Sequence, residues 1–248
     1  MRRAPIQQGG ELPRAVGESF ELPQATAHYL RDVLRLRAGD QVELFDGDGW
    51  AFITRLDELT QDSVRATLIE ALEADRLESP LQTTLYACIP KGDRWEWILE
   101  KTSELGVSHI QPVVSARTVI KIKPNKVDAK VERWRRIVAA ASRQSGRART
   151  PSVSAPATLQ ALLSDLPTHT HLFAAIHTDA RAWDEVFAAP HTAIGLWVGP
   201  EGGWDDQERA SLARAGCQPV GLGPRILRAD TAAVALLTLA QLHAGDIS

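Results

Sequence analysis

Apolar and polar positions alternate with a period of two from residue 16 to about residue 74. ESFELP, DQVELFDGDGWAFITRLDEL and DSVRATLIEAL each send every second side chain to one face, which predicts short strands covered on one side. The Asp-Gly pairs at 46–49 predict a tight hairpin turn. One segment breaks the rhythm. TAHYLRDVLRLRAGD reads as a short helix with Tyr29, Leu30, Val33, Leu34 and Leu36 on its inner face, and Arg31 and Arg35 pointing outward. A helix set among a few strands predicts a compact β-barrel over residues 1–74. Ser79-Pro80 then punctuates the chain, because the residue before proline is pushed out of helical geometry.

Beyond Pro80 the rhythm changes to strands alternating with helices. LQTTLYACIP predicts a strand, and KGDRWEWILEKTSELG a helix stopped by Gly106. HIQPVVSA is the next strand and VDAKVERWRRIVAAASRQSG a long basic helix. THLFAAI, TAIGLWVG and QPVGLG are short apolar runs, with helices expected over 181–188, 205–215 and 230–243. Such alternation predicts an α/β domain over residues 80–248, with a mostly parallel sheet covered on both faces.

Composition narrows the class. With 248 residues, 44% hydrophobic and 24% charged, the chain has the balance of a globular protein with a sizeable core, which excludes disordered and collagenous classes. Cys88 and Cys217 stand far apart with no metal-ligand spacing, so neither a disulfide scaffold nor a structural zinc site is expected. MRRAPIQQGGELPR lacks the apolar core of a signal peptide, and the apolar stretch Ala232–Ala240 is too short for a bilayer. A cytoplasmic protein with no membrane partner and no metal is expected. Charge adds more once it is resolved along the chain. Residues 117–149 carry eleven Lys or Arg against two acids, a local +9 within a total of −3. That segregation fits a polyanionic partner, although a solvated basic helix would show the same pattern.

Two loops carry the candidate chemistry. Val198-Gly199-Pro200-Glu201-Gly202-Gly203-Trp204 follows an apolar strand and precedes a helix that opens Asp205-Asp206-Gln207-Glu208, a capping-box pattern. Gly221-Leu222-Gly223-Pro224-Arg225-Ile226-Leu227-Arg228-Ala229-Asp230-Thr231 links the next strand to the last helix, with Asp230 its expected N-cap. In a parallel sheet both loops lie at the carboxyl ends of strands, where α/β folds place ligands. Neither is a phosphate-binding loop, because no Gly-Lys-Ser/Thr follows the glycines. Gly221-x-Gly223 lacks the third glycine of a dinucleotide fingerprint, and the chain has no GxSxG or HExxH.

The segments KGDRWEWILEKTSELGV, WRRIVAAASRQSGR, VGPEGGWDDQE and LGPRILRADTA, with HYLRDVLRLRAGD near the start, resemble in order the motifs of RsmE-type ribosomal RNA methyltransferases of the SPOUT superfamily. The resemblance runs from about residue 14 to residue 243. It implies a PUA-like β-barrel that helps to hold RNA, followed by a SPOUT domain whose parallel sheet contains a deep trefoil knot. It also implies a homodimer that binds S-adenosyl-L-methionine in the knot. The implied reaction methylates N3 of a uridine in small-subunit (16S) ribosomal RNA, either free or in the assembled 30S subunit.

Carried over by position, the resemblance puts Val198, Gly199 and Gly202 on one wall of the cofactor site. Leu222, Gly223, Ile226 and Leu227 form the other wall, with Thr231 and Ala232 closing it. Arg228 is the expected catalytic group, orienting uridine or stabilising its imide anion, with a salt bridge at the helix start as the alternative. Asp230 stands where RsmE sequences usually carry Glu, so a structural role competes with that of general base, and Glu201 is the other candidate carboxylate. Arg143 stands where the family commonly has Glu, which adds charge suited to RNA. Lys91, Arg94, Arg143, Arg147 and Arg149 are expected phosphate contacts, as are Arg31 and Arg35 in the first domain. Lys101 and Glu104 are spaced to pair on one helix face, and Trp95 and Trp97 are expected to pack. A non-catalytic RNA-binding or assembly factor, and a SPOUT enzyme acting on another RNA position, remain as alternatives.

Overall fold

The period-two segments form β2 (Ser19–Leu22), β3 (Gln41–Phe45), β4 (Trp50–Leu59) and β5 (Val64–Glu73), joined by β1 (Arg2–Pro5) at the amino end. The computed structural model describes residues 2–6, 15–46, 50–60, 63–73, 78–118, 122–175 and 180–247; the turn residues 47–49 of the expected hairpin lie outside these. The strand order is β1-β3-β4-β5-β2, antiparallel except for β1 on β3. Among the described residues β1 and β2 do not pair with each other. Leu22, Val42, Leu44, Leu56 and Leu68 fill the core that the alternation predicts.

The helix embedded in these strands begins as α1 (Gln24–His28) and continues as a π-helical turn over Tyr29–Val33. Leu30 and Leu36 are buried as expected, but Val33 is 58% exposed. The wider turn, in which the Leu34 N–H reaches the Tyr29 carbonyl, shifts the phase of the helix and carries Val33 off its inner face.

The chain divides into two compact units, one of residues 1–78 with 142–150 and one of residues 79–141 with 151–248. The segment 142–150, which the sequence places in the second domain, belongs with the first because Glu78 holds it. Arg147 is 5% exposed, and its Nε and Nη2 donate to Glu78 Oε2 at 3.1 and 2.7 Å. Glu78 Oε1 accepts from the backbone N–H groups of Ala148 and Arg149, both at 2.9 Å. Arg147 is therefore a correction: it is a buried structural cation and not a phosphate contact. Arg147→Ala leaves the Glu78 carboxylate buried without its cation, and should lower the unfolding free energy of the first unit by about 3 kcal/mol in urea titrations.

The second unit holds a parallel sheet of β6 (Gln82–Cys88), β7 (His109–Val114), β8 (Ser152–Val153), β9 (Ala157–Thr158), β10 (Thr170–Ala175), β11 (Ala193–Val198) and β12 (Gln218–Gly221). The order is β12-β10-β11-β6-β7-β8, with β9 also on β7, and every pairing is parallel. Along β6, Leu85 and Ala87 enter one apolar cluster while Tyr86 and Cys88 enter another. A strand buried on both faces reads as a continuous apolar run, as LQTTLYACIP does. The helices are α2 (Arg94–Glu104), α3 (Val127–Ser145), α4 (Leu159–Ser164), α5 (Trp183–Val186), α6 (Asp206–Arg214) and α7 (Ala229–His243). β8, β9 and α4 are too short to have shown a period in the sequence.

Basic α3 buries Val131, Trp134 and Val138, and Trp134 meets the edge of Trp95 at 5.6 Å between ring centroids. Trp97, expected to pack, is 43% exposed. Lys101 bonds Glu104 at 2.9 Å and also Glu100 at 2.7 Å. No described helix is long and apolar enough to cross a membrane.

Candidate functional site

Three neighbouring parallel strands, β12, β10 and β11, deliver their carboxyl ends to one cavity of about 250 Å³. β10 contributes Phe173, Ala174 and Ala175; Val198 and the loop after β11 form a second side. The loop after β12 and the first turn of α7 complete it. This is the place that strand polarity predicts for a ligand in an open α/β sheet.

The loop after β11 is shaped by local bonds. The Gly203 N–H donates to the Pro200 carbonyl at 2.8 Å, and Gly203 sits at φ +66°, a conformation that favours glycine. The expected capping box is present: Asp205 accepts from the Glu208 N–H at 2.8 Å, and Glu208 Oε2 from the Asp205 N–H at 3.0 Å. Glu208 Oε1 also accepts from the Ala116 N–H at 2.8 Å, which ties the loop after β7 to α6. From that loop Arg117 Nη1 donates to the Gly202 carbonyl at 2.6 Å. A Cβ on Gly202 would meet Arg117 Cδ at 3.2 Å, and one on Gly199 would meet the Trp204 ring at 3.2 Å. Both glycines are therefore small for close approach.

Of the expected cofactor residues, Val198, Gly199, Gly202, Leu222, Gly223, Leu227 and Ala232 line the cavity. Ile226 and Thr231 do not. Ile226 is 79% exposed, because its loop turns it away from the apolar floor on which its neighbour Leu227 packs. Thr231 is exposed on α7, one position from Ala232 and so about 100° away around the helix. Arg228 does not line the cavity either; it is exposed, between Leu227 and Ala229, which do. Its guanidinium has no partner among the described residues.

Arg228, not Asp230, is the N-cap of α7, so the expected cap is corrected by two residues. Asp230 lies in the first helical turn, where a negative charge favours the positive end of the helix. Asp230 Oδ2 lies 3.8 Å from Arg94 Nε, and Glu201 Oε1 lies 3.8 Å from Arg94 Nη1. Glu201 Oε1 also accepts from the Lys91 N–H at 3.0 Å. Both candidate carboxylates thus share one guanidinium, and neither lines the cavity.

Lys91, Arg143 and Arg149 are exposed. Arg31 bonds Asp32 and the Thr60 carbonyl, whereas Arg35 is exposed at φ +54°, unusual for a residue with a side chain.

Sequence reasoning did not single out Arg117, Arg209, Arg225, Phe173 or Trp204, all in the lining. The three arginines are its only charged side chains among the described residues, and it holds no carboxylate. Trp204 was visible in its loop, but only the strand order places Phe173 beside it. An apolar floor, glycine walls and cationic edges suit a ligand with a flat base and an anionic end. Burial raises the Cys88 thiol to about 11 and that of Cys217 to about 12, so neither is a nucleophile. No cluster of metal-ligating side chains occurs among the described residues.

Residues 77–241 match the RNA methyltransferase domain family, and residues 22–69 the RNA methyltransferase PUA domain. The chain is 37% identical over 227 residues to the ribosomal RNA small subunit methyltransferase E of Synechocystis sp., covering 90% of this chain and 72% of that protein. It is 31% identical over 221 residues to the enzyme of the same name from Bacillus subtilis, covering 86% of each. The crystal structure of the Neisseria gonorrhoeae protein of that name, bound to S-adenosyl methionine, matches with a TM-score of 0.83 at 35% identity, over 98% of this chain and 97% of that one. A cavity of this chemistry at the ends of β10, β11 and β12, in a chain similar to these proteins over most of its length, places the protein in the ribosomal RNA small subunit methyltransferase E family.

Proposed function

We propose that the protein methylates N3 of a uridine in small-subunit ribosomal RNA, with S-adenosylmethionine as donor. In this reading the second unit performs the reaction and the first helps to hold RNA. The carrying observation is the cavity, which two glycine-bearing loops border and no described carboxylate enters. Its residues fit the donor. Main-chain groups of residues 199–203 and 222–227 would hydrogen-bond the adenine, while Val198, Leu222 and Leu227 flank its faces. Gly199 and Gly202 leave the room that a Cβ would fill, and the arginines suit a carboxylate. When bound, the donor supplies a methyl group already activated on a sulfonium.

The protein's own task is to hold the uracil and manage the N3 proton. N3 lies on the Watson–Crick edge, so the base must be unpaired or turned out of its stack. Loss of the proton spreads negative charge onto the two carbonyl oxygens. In this reading Arg228, whose neighbours Leu227 and Ala229 line the cavity, would stabilise that charge. Arg228→Ala should keep donor affinity by calorimetry and lower kcat by roughly 10² to 10³. An unchanged kcat would remove Arg228 from the mechanism. The same reading includes the trefoil knot and a homodimer in the cytoplasm, acting on ribosomal RNA or the assembled 30S subunit; sedimentation equilibrium should return twice the 27.1 kDa chain mass.

A further inference from the structure

An open depression of about 320 Å³ in the first unit is lined by Arg2, Arg35, Leu36, Arg37, Asp40 and Gln41. All of these except Leu36 are exposed. Their backbones are fixed from several sides. Parallel pairing of β1 with β3 sets Arg2 beside Val42, and Arg2 Nη1 donates to the Leu34 carbonyl just past the π-helical turn. The Leu36 N–H returns to the Leu30 carbonyl at 3.0 Å, which closes that turn with Arg35 inside the loop. The turn of Arg37 and Asp40 is bonded to β4, by the Gly39 N–H to the Leu56 carbonyl at 2.7 Å and by the Leu56 N–H to the Asp40 carbonyl at 2.9 Å. Three positive charges stand against one carboxylate, and that carboxylate is engaged: Asp40 Oδ2 accepts from the Arg37 N–H at 2.7 Å. Apart from the bond of Arg2 to Leu34, the three guanidiniums have no hydrogen bond or ion pair among the described residues.

We propose that this depression grips one backbone phosphate of the RNA, an inference that rests on the function proposed above and names a contact by which the first unit holds its substrate. A guanidinium presents its N–H groups as a planar fork that matches two phosphate oxygens, and three of them against one carboxylate leave a net attraction for an anion. The exposure of the walls selects the kind of anion. A small free ligand is held by burying most of its surface, which exposed walls cannot do, whereas a phosphate in a passing strand needs only one face covered. Arg35 adds a separate observation. It sits at φ +54°, and every other described residue at positive φ is a glycine. The position closes a helix, where glycine fits with least strain, so the arginine stands there against its backbone preference. Residues held in such sparsely populated conformations cluster at binding sites. Of the two cations expected to contact phosphate in this domain, Arg31 is tied to Asp32 and to the Thr60 carbonyl; Arg2 and Arg37 join Arg35 in its place.

The test uses the full chain and fluorescein-labelled dodecauridylate, with binding read by fluorescence anisotropy over a series of potassium chloride concentrations. Each guanidinium lost from a contact to single-stranded RNA should reduce the steepness of log affinity against log salt by about 0.7, and weaken binding about fivefold at ~0.1 M salt. Arg35→Gly is the first variant, because glycine suits the positive φ and keeps the turn; its melting temperature should not fall. Arg37→Gln is the second, and the double variant should lose about 1.4 in steepness. Arg65→Gln is the control: an exposed cation of the same unit, 3.7 Å from Glu21 and outside the depression, whose loss should leave the steepness unchanged. Wild-type steepness in Arg35→Gly and Arg37→Gln, or an equal loss in Arg65→Gln, overturns the assignment. Inorganic phosphate, added at constant ionic strength, separates the two sources of the anion. It should displace no RNA from the wild type; displacement that Arg35→Gly abolishes makes the depression a site for free phosphate and overturns the RNA contact. If the wild type methylates small subunits while the variants keep its salt dependence, this inference fails and the proposed reaction stands. If the steepness falls as expected and no N3-methyluridine forms, the proposed reaction fails and the phosphate site stands.

Discussion

Gly199→Val should weaken binding of S-adenosylmethionine at least about 100-fold in a protein that still folds. Gly199 lines the cavity proposed for the donor, and even a Cβ at this position would lie 3.2 to 3.3 Å from three atoms of the Trp204 ring. Trp204 is 5% exposed and belongs to the apolar cluster of Tyr86, Phe173 and Trp197, so it cannot retreat. The two further methyl groups of valine must then occupy a cavity of only about 250 Å³. A loss of affinity of at least about 100-fold is expected, equivalent to about 3 kcal/mol. Titration calorimetry measures it, with thermal unfolding as the control for folding. A Kd within about threefold of the wild type would show that the donor binds elsewhere.

Gly195→Ala acts instead on the stability of the second unit. Gly195 on β11 stands opposite His171 on β10, and a Cβ there would overlap the imidazole at Nδ1. The ring has no room to move. It is 3% exposed, stacks on His169, accepts from Trp197 Nε1 at 3.2 Å and bonds the Pro167 carbonyl at 3.0 Å. Those two bonds set its tautomer: Nδ1 accepts, so Nε2 carries the hydrogen and donates. The alanine methyl overpacks the site and leaves the Trp197 indole N–H unpaired, at a combined cost of about 3 kcal/mol or more. The melting temperature should fall by roughly 10 °C.

The same ring makes the fold sensitive to acid. Burial lowers the pKa of His171 to about 4 from 6.5, and pushes His109 and His169 in the same direction. As the pH falls the unfolded chain therefore takes up the proton first. The stability that the neutral His171 contributes is whole above pH 6.5 and lost progressively toward pH 4. Its size is about 3 kcal/mol at most. Urea midpoints measured from pH 7.5 down to 4.5 should fall steadily below about 6.5, and His171→Phe should flatten that slope.

What the sequence made legible was local. The β6 run, the amphipathic face of α3 and the capping box of α6 depend on residues within a few positions of one another, and each was visible in the pattern. So were the two glycine-bearing loops, since glycine spacing and flanking apolar runs mark strand ends. Residues whose partners are remote were misread or passed over. Arg147 looked like one more cation in a basic segment, because its partner Glu78 lies 69 positions away. Arg117 reaches Gly202 across 85 positions, so nothing near it in the chain marked it as part of a cavity wall. Ile226 shows a different limit. An apolar residue in a binding loop invites an inward assignment, and only the path of that loop turns it to solvent. For Asp230 the helix begins one residue before it, and a side chain already inside the first turn cannot be the cap.

Methyl transfer from S-adenosylmethionine to uridine N3 in small-subunit ribosomal RNA, as proposed above, is open to direct assay. The most direct measurement incubates the protein and labelled donor with small ribosomal subunits from a strain lacking this activity, followed by mass spectrometry of the released nucleosides. One new N3-methyluridine per small subunit is expected, absent when Gly199→Val replaces the wild type. Label recovered in another nucleoside, or none transferred by a protein that binds the donor, would contradict it.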